Sequence, residues 1–164
     1  GMKQTITLLL LFCLFLSGCG VGGERIKEPV TFYYVSEDYQ KDMKQVIASE
    51  VREASGHRRD LSYLLALYSM GPTTEELKSL LPRNTSIRLE THTAEGLALR
   101  LSEGALTMSE ADFTLASACI FLTCMELTDV PEMTIACGER SITIQEDSLM
   151  MYNNTTPTPQ EETE

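Results

Sequence analysis

The chain has 164 residues, of which 43% are hydrophobic, enough to bury a core, and its length suits one domain. With 13 basic and 24 acidic side chains it carries a formal charge of −11 at neutral pH. That charge excludes nucleic acid as a partner, argues against docking on anionic lipid or wall phosphates, and favours solubility.

Gly1 ahead of Met2 reads as a cloning scar, and Lys3 as a thin positive n-region. The run from Ile6 to Leu16 is apolar but only 11 residues long, whereas a permanent membrane helix takes ~20. It ends in Leu16, Ser17, Gly18 and Cys19, which resemble a bacterial lipobox. Small residues at Ser17 and Gly18 let a signal peptidase reach the bond before Cys19, whose thiol carries a lipid. The resemblance implies a signal peptide over residues 1–18, with Cys19 as the lipidated first mature residue. The membrane is then a partner through that lipid, and the domain sits on the outer face of the bacterial cytoplasmic membrane. Two acyl chains of about 15 methylenes at ~0.8 kcal/mol each contribute ~24 kcal/mol, an effectively permanent anchor.

Residues 19–29 then form a lipidated, glycine-containing flexible linker. Val30 to Val35, with three aromatics and two valines after Pro29, read as a strand. Tyr39, Met43, Val46, Ile47, Val51 and Ala54 follow helical spacing, so residues 39–54 are open between helix and strand on periodicity alone. Asp60 caps a leucine-rich helix that Gly71 and Pro72 stop. Thr73 with Glu76 has capping-box form and predicts a short helix through Leu77, Leu80 and Leu81, ended by Pro82. Ile87, Leu89 and Thr91 alternate with polar residues, as do Leu97, Leu99 and Leu101, predicting a hairpin with one buried face. Ser109 with Asp112 opens a long helix that is apolar on nearly every side through Met125. Met133, Ile135 and Cys137 alternate on a strand, Gly138 to Arg140 turns, and Ile142 with Ile144 mark its partner. Residues 153–164 are polar and acidic with nothing to bury, a disordered tail. Hairpins alongside separate helices point to a single α+β domain over residues 30–152, with a mostly antiparallel sheet packed against a long buried helix and shorter helices.

The order of these motifs resembles the GerMN domain, a sporulation and spore-germination module found in lipoproteins of Gram-positive bacteria. The likeness rests on the leucine-rich helix ending in Gly71 and Pro72. It continues through Leu81, Pro82, Arg83, Asn84 and Thr85 before a hairpin, the helix around Phe121, Leu122 and Thr123, and the strand closing at Gly138. Asn84 stands where the family usually has glycine, and asparagine tolerates the left-handed conformation such a turn needs. Leu99, Arg100, Leu101 and Ser102 stand for the family's Val-Asp-Leu-Ser, so the acidic residue is absent. The resemblance implies a strand over Gln45 to Ala54, an interaction domain in envelope or spore-envelope assemblies, envelope proteins as partners, and no enzymatic activity.

Candidate chemistry is sparse. With Cys13 in the leader and Cys19 lipidated, Cys119, Cys124 and Cys137 remain, an odd number. Cys119 and Cys124 sit five apart on one helix, a poor bridge geometry; a bridge from either to Cys137 is the alternative to buried free thiols, which are the expected state. A zinc site from these thiols with His57 or His92 lacks close Cys-x-x-Cys spacing, and no metal or cofactor is expected. No Gly-x-Ser-x-Gly elbow exists for a triad. Glu75 and Glu76 are assigned to helix capping, and Glu90 and Glu95 to a solvated turn, so a wall hydrolase has no positive support. Tyr33, Tyr34 and Tyr39 are candidates for a sugar-stacking platform, making a wall-glycan or small-ligand module the alternative to protein assembly.

Overall fold

The aromatic run after Pro29 forms the strand on which the rest is assembled. In the computed structural model, which describes residues 25–41 and 45–148, β1 spans Pro29–Ser36 and pairs antiparallel with β2, Ile47–Glu53. The strand reading of the ambiguous segment holds, because pairing with β1 overrides a helical stripe confined to one window. A two-residue β3, Leu77–Lys78, adds to the far side of β1 at Val35 and Ser36, giving a first sheet in the order β2-β1-β3.

Helix α1, Leu61–Ser69, starts as its cap dictates: Asp60 Oδ1 accepts from the Tyr63 N–H at 3.1 Å. It stops at Gly71, whose φ of +93° is a conformation that costs other residues strain. The short helix predicted after Thr73 is absent. Thr73 and Thr74 spend their hydroxyls and N–H groups on the Glu50 carboxylate, and the segment runs as turns into β3. A partner 23 residues away outcompetes the local capping box.

The second sheet has the order β4-β5-β6-β7. Strands β4, Ile87–His92, and β5, Leu97–Leu101, form the expected hairpin, with a bulge between Leu89 and Thr91. A 3-10 helix, Glu103–Thr107, leads into α2, Glu110–Leu127, capped by Ser109 Oγ on the Asp112 N–H at 3.1 Å. Helix α2 is the crossover that lets β6, Glu132–Cys137, lie parallel to β5. Then Gly138, at φ +59°, turns the chain into β7, Arg140–Gln145, antiparallel to β6. The fold is thus α+β, antiparallel except for β5–β6 and divided between two sheets.

Both sheets pack onto one core. Phe32 and Tyr34 of β1, Leu64 and Leu65 of α1, Phe113, Ile120 and Phe121 of α2, and Leu99, Met133 and Ile135 of the second sheet are all at most 2% exposed. Tyr68 ties them together, stacked on Tyr34 at 4.5 Å and edge-on to Phe32 at 5.6 Å. No described helix is long and apolar enough to cross a membrane. The lipobox residues Leu16, Ser17, Gly18 and Cys19, and the tail 153–164, lie outside the described residues.

Candidate functional site

Backbone groups left over at the strand edges define the first candidate surface. The Ala54 N–H bonds to Glu28 O at 3.1 Å and the Ser36 N–H to Val46 O at 2.9 Å, which fixes the phase of the β1–β2 ladder. Even-numbered residues of the two strands bond to each other, and odd-numbered residues turn their N–H and C=O groups outward.

On β1 that outward side is closed by side chains at Tyr33 and by β3 at Val35. The Tyr33 N–H donates to Thr123 Oγ1 of α2 at 3.0 Å, and Tyr33 O accepts from the Tyr68 hydroxyl of α1 at 2.7 Å. The Thr123 hydroxyl itself donates to Cys119 O at 2.9 Å, so this family-motif residue joins helix to strand. On β2 the outward groups belong to Ile47, Ser49, Val51 and Glu53, and among the described residues none has a backbone partner. Among the described residues the first sheet is therefore open along β2 and covered at Tyr33 and Val35 on the far side of β1.

Glu50, 8% exposed, holds the chain beside this edge. Its carboxylate accepts from the Thr73 N–H at 2.9 Å, the Thr74 N–H at 3.1 Å, both threonine hydroxyls at 2.8 Å, and Arg52 Nη1 at 3.2 Å. Burial pushes the Glu50 carboxyl up, but the bonds from Thr73, Thr74 and Arg52 outweigh it and leave the group below the usual carboxylate range.

The three tyrosines do not form one platform. Tyr33 and Tyr34 are neighbours on a strand and face opposite sides. Tyr34 is 1% exposed, with its hydroxyl donating to Tyr68 O at 2.8 Å and its ionisation pushed up by burial. It is a core residue and cannot meet a ligand. Tyr33 is half-buried, its hydroxyl donating to Glu126 at 3.1 Å, and Tyr39 lies under Lys78 in a separate turn.

The remaining motif residues shape turns. The Thr85 N–H donates to Pro82 O at 3.1 Å across Asn84, whose φ of +64° is the left-handed conformation expected of it. Pro72 follows the Gly71 stop, and Gly71 O accepts from Arg52 at 3.4 Å. Arg100, where the resembled family has an acid, pairs with Glu90 at 2.6 Å. Arg100 first, then Arg88, holds the Glu90 carboxyl below its ordinary range.

A second surface was not legible in the sequence. Of the two histidines of the chain, His92 borders a cleft of about 630 Å³ and its continuation, and His57 borders the continuation. Arg58, Arg59, Glu28 and Asp129 line the same cleft over a floor of Leu61, Leu64 and Leu127. A tight turn with Ser55 at φ +50° and Gly56 at φ +82° forms one rim, and Glu28 accepts from the Gly56 N–H at 2.6 Å. His57 stacks on Tyr63 at 3.8 Å. The mixed charge suits a ligand with both acidic and basic groups. Sequence spacing gave no signal of this meeting, because the histidines are 35 positions apart on different elements.

Cys119, Cys124 and Cys137 are buried and unbridged, as expected of small apolar side chains. Burial pushes the Cys119 and Cys124 thiols up to about 12. Among the described residues no group of three or more His, Cys, Asp and Glu side chains is placed to hold a metal ion.

This α+β arrangement, a short three-stranded sheet, a mixed four-stranded sheet and a long crossover helix, is a GerMN-like fold, as one solved structure shows. The first GerMN domain of the sporulation protein GerM from Bacillus subtilis matches with a TM-score of 0.50 at 10% identity, covering 70% of this chain and 85% of that one. The tandem GerMN domains of the same protein align at 16% identity and a TM-score of 0.49, over 74% of this chain and 43% of the tandem. No family model matches the chain, and no curated protein does.

Proposed function

We propose that this chain is a membrane-anchored, extracytoplasmic lipoprotein whose GerMN-like domain is non-catalytic and works by binding envelope proteins during sporulation or germination. The observation that carries the reading is the fold shared with a domain of a sporulation protein. The lipobox-like Leu16 to Cys19 supports it by placing that domain after a lipid anchor. Open strand edges supply the physical means, since an exposed row of N–H and C=O groups accepts another chain.

The test is capture of the full chain from crosslinked membranes of growing and spore-forming cells, with Cys19→Ala as the unanchored control. Envelope proteins enriched only with the anchored form are the expected result, and their timing assigns the stage. Unchanged processing and membrane retention of Cys19→Ala would overturn the anchor, and no protein partner in either condition would overturn assembly. A second reading, a wall-glycan or small-ligand module, is favoured by the cleft between Arg58, Arg59 and His92. Protection of that cleft by soluble wall fragments would select it.

A further inference from the structure

We propose that the open edge of β2 pairs antiparallel with β2 of a second copy of this chain, centred on Ser49, joining two three-stranded sheets into one of six strands. The proposal deepens the assembly reading by naming a partner, and it rests on that reading for its setting.

The other free edges are poorer candidates. The inner edge of β1 is closed by the Thr123 and Tyr68 hydroxyls. Strand β4 carries a bulge and the exposed charges of Arg88 and Glu90, devices that discourage pairing. Strand β7 runs into Glu146 and Asp147, which share a concavity with Glu95 and Glu132, so two copies meeting there would oppose like charges. Strand β2 is seven residues long, and three of its four outward-bonding residues, Ile47, Ser49 and Val51, carry no charge; the fourth, Glu53, lies at its end. Their side chains share the solvent-side face of the sheet with Thr31 and Tyr33, and Val51 is 53% exposed. Val51 is thus an exposed aliphatic side chain directly beside backbone groups that have no partner among the described residues.

Charge decides the register. Centring on Ser49 sets Ile47 opposite Val51 of the second copy, Ala48 opposite its Glu50, and Ser49 opposite Ser49, with no like charges facing. Centring on Glu50 would oppose two carboxylates. Centring on Val51 would leave Ile47 unpaired and set Ser49 against Glu53. In the Ser49 register the pairs at Ile47, Ser49 and Val51 each exchange two backbone hydrogen bonds. Each copy is acidic overall, so added salt strengthens the association by screening the long-range repulsion.

The register gives the test. Ser49 and its counterpart would be a hydrogen-bonded pair with Cα atoms ~5.5 Å apart, inside the range a disulfide spans. Val51 and its counterpart would be ~13 Å apart along the strands. The full chain with Cys13→Ser and Cys19→Ala, in detergent, is oxidised with copper phenanthroline and run on a non-reducing gel. Ser49→Cys is expected to give a disulfide-linked dimer and Val51→Cys none, while Ile47→Cys with Val51→Cys together restores it. Val51→Lys is expected to weaken sedimentation-measured dimerisation about tenfold with an unchanged far-UV spectrum. Equal crosslinking at positions 49 and 51, or no dimer with Ser49→Cys, would overturn the proposal. A chain monomeric by itself, whose Ser49→Pro variant loses an envelope protein captured from membranes, would also overturn self-pairing. It would give the edge to that protein and leave the assembly reading standing.

Discussion

Replacing Glu50 with glutamine tests the account of how the chain after α1 is held. The carboxylate is a pure acceptor facing two backbone N–H groups, two hydroxyls and one guanidinium. An amide presents one acceptor and one NH₂, so whichever way it turns, donors meet donors. The two hydroxyls can rotate and find water, because Thr73 and Thr74 are themselves exposed, but the backbone N–H groups are fixed in direction and Arg52 keeps only Gly71 O as an acceptor among the described residues. Charge-assisted hydrogen bonds contribute about 1.5–3 kcal/mol each and are not additive, so we expect Glu50→Gln to cost ~2–3 kcal/mol. For a domain of this size that is about 8–12 °C in melting temperature.

The pH dependence separates charge from shape. The folded Glu50 carboxyl lies below its ordinary range, so its contribution is fully present above the unfolded value of about 4.3 and is lost as pH falls through the folded one. Urea unfolding from pH 7 down to pH 3 should therefore show wild type and Glu50→Gln converging at the acid end. A gap below ~0.5 kcal/mol at pH 7 would refute the reasoning, and so would a gap that persists unchanged in acid.

Thr123→Val keeps the side-chain shape but removes the acceptor for the Tyr33 N–H, an unsatisfied buried donor costing about 1–3 kcal/mol. Denaturant unfolding checks it, and Thr123→Ser should recover most of the loss. Cys119 and Cys124, with thiols pushed up to about 12, should resist iodoacetamide at pH 8 in the folded domain and label on unfolding, read by intact mass.

The legible parts of the fold were those decided within one turn of chain. Asp60 and Ser109 cap their helices as their sequences say, Gly71 stops one, and Asn84 takes the left-handed turn. The failures lie where a distant partner decides. Thr73 and Glu76 carry a sound capping signature, yet Glu50 takes the threonine that would have capped. The helical stripe of residues 39–54 yields to β1, and nothing in the β5 or β6 sequences distinguishes parallel from antiparallel pairing. Alternation could say that Tyr33 and Tyr34 face opposite ways, but not that Tyr34 is the one Tyr68 stacks on. The open edge of β2 was beyond reach for the same reason, since it follows from a register.

The hydroxyl seal on β1 also sets an order of events. Strand β2 lies within about 20 residues of β1, and Tyr68 follows soon after, but Thr123 is 90 positions beyond Tyr33. A chain emerging from the ribosome or a translocation pore can form the β1–β2 hairpin early, while the Tyr33 N–H waits for α2 to be made. During that interval the Tyr33 N–H is a donor without its partner on the side of β1 away from β2. Completing α2 satisfies it, so the first sheet of the finished domain is left to grow along β2.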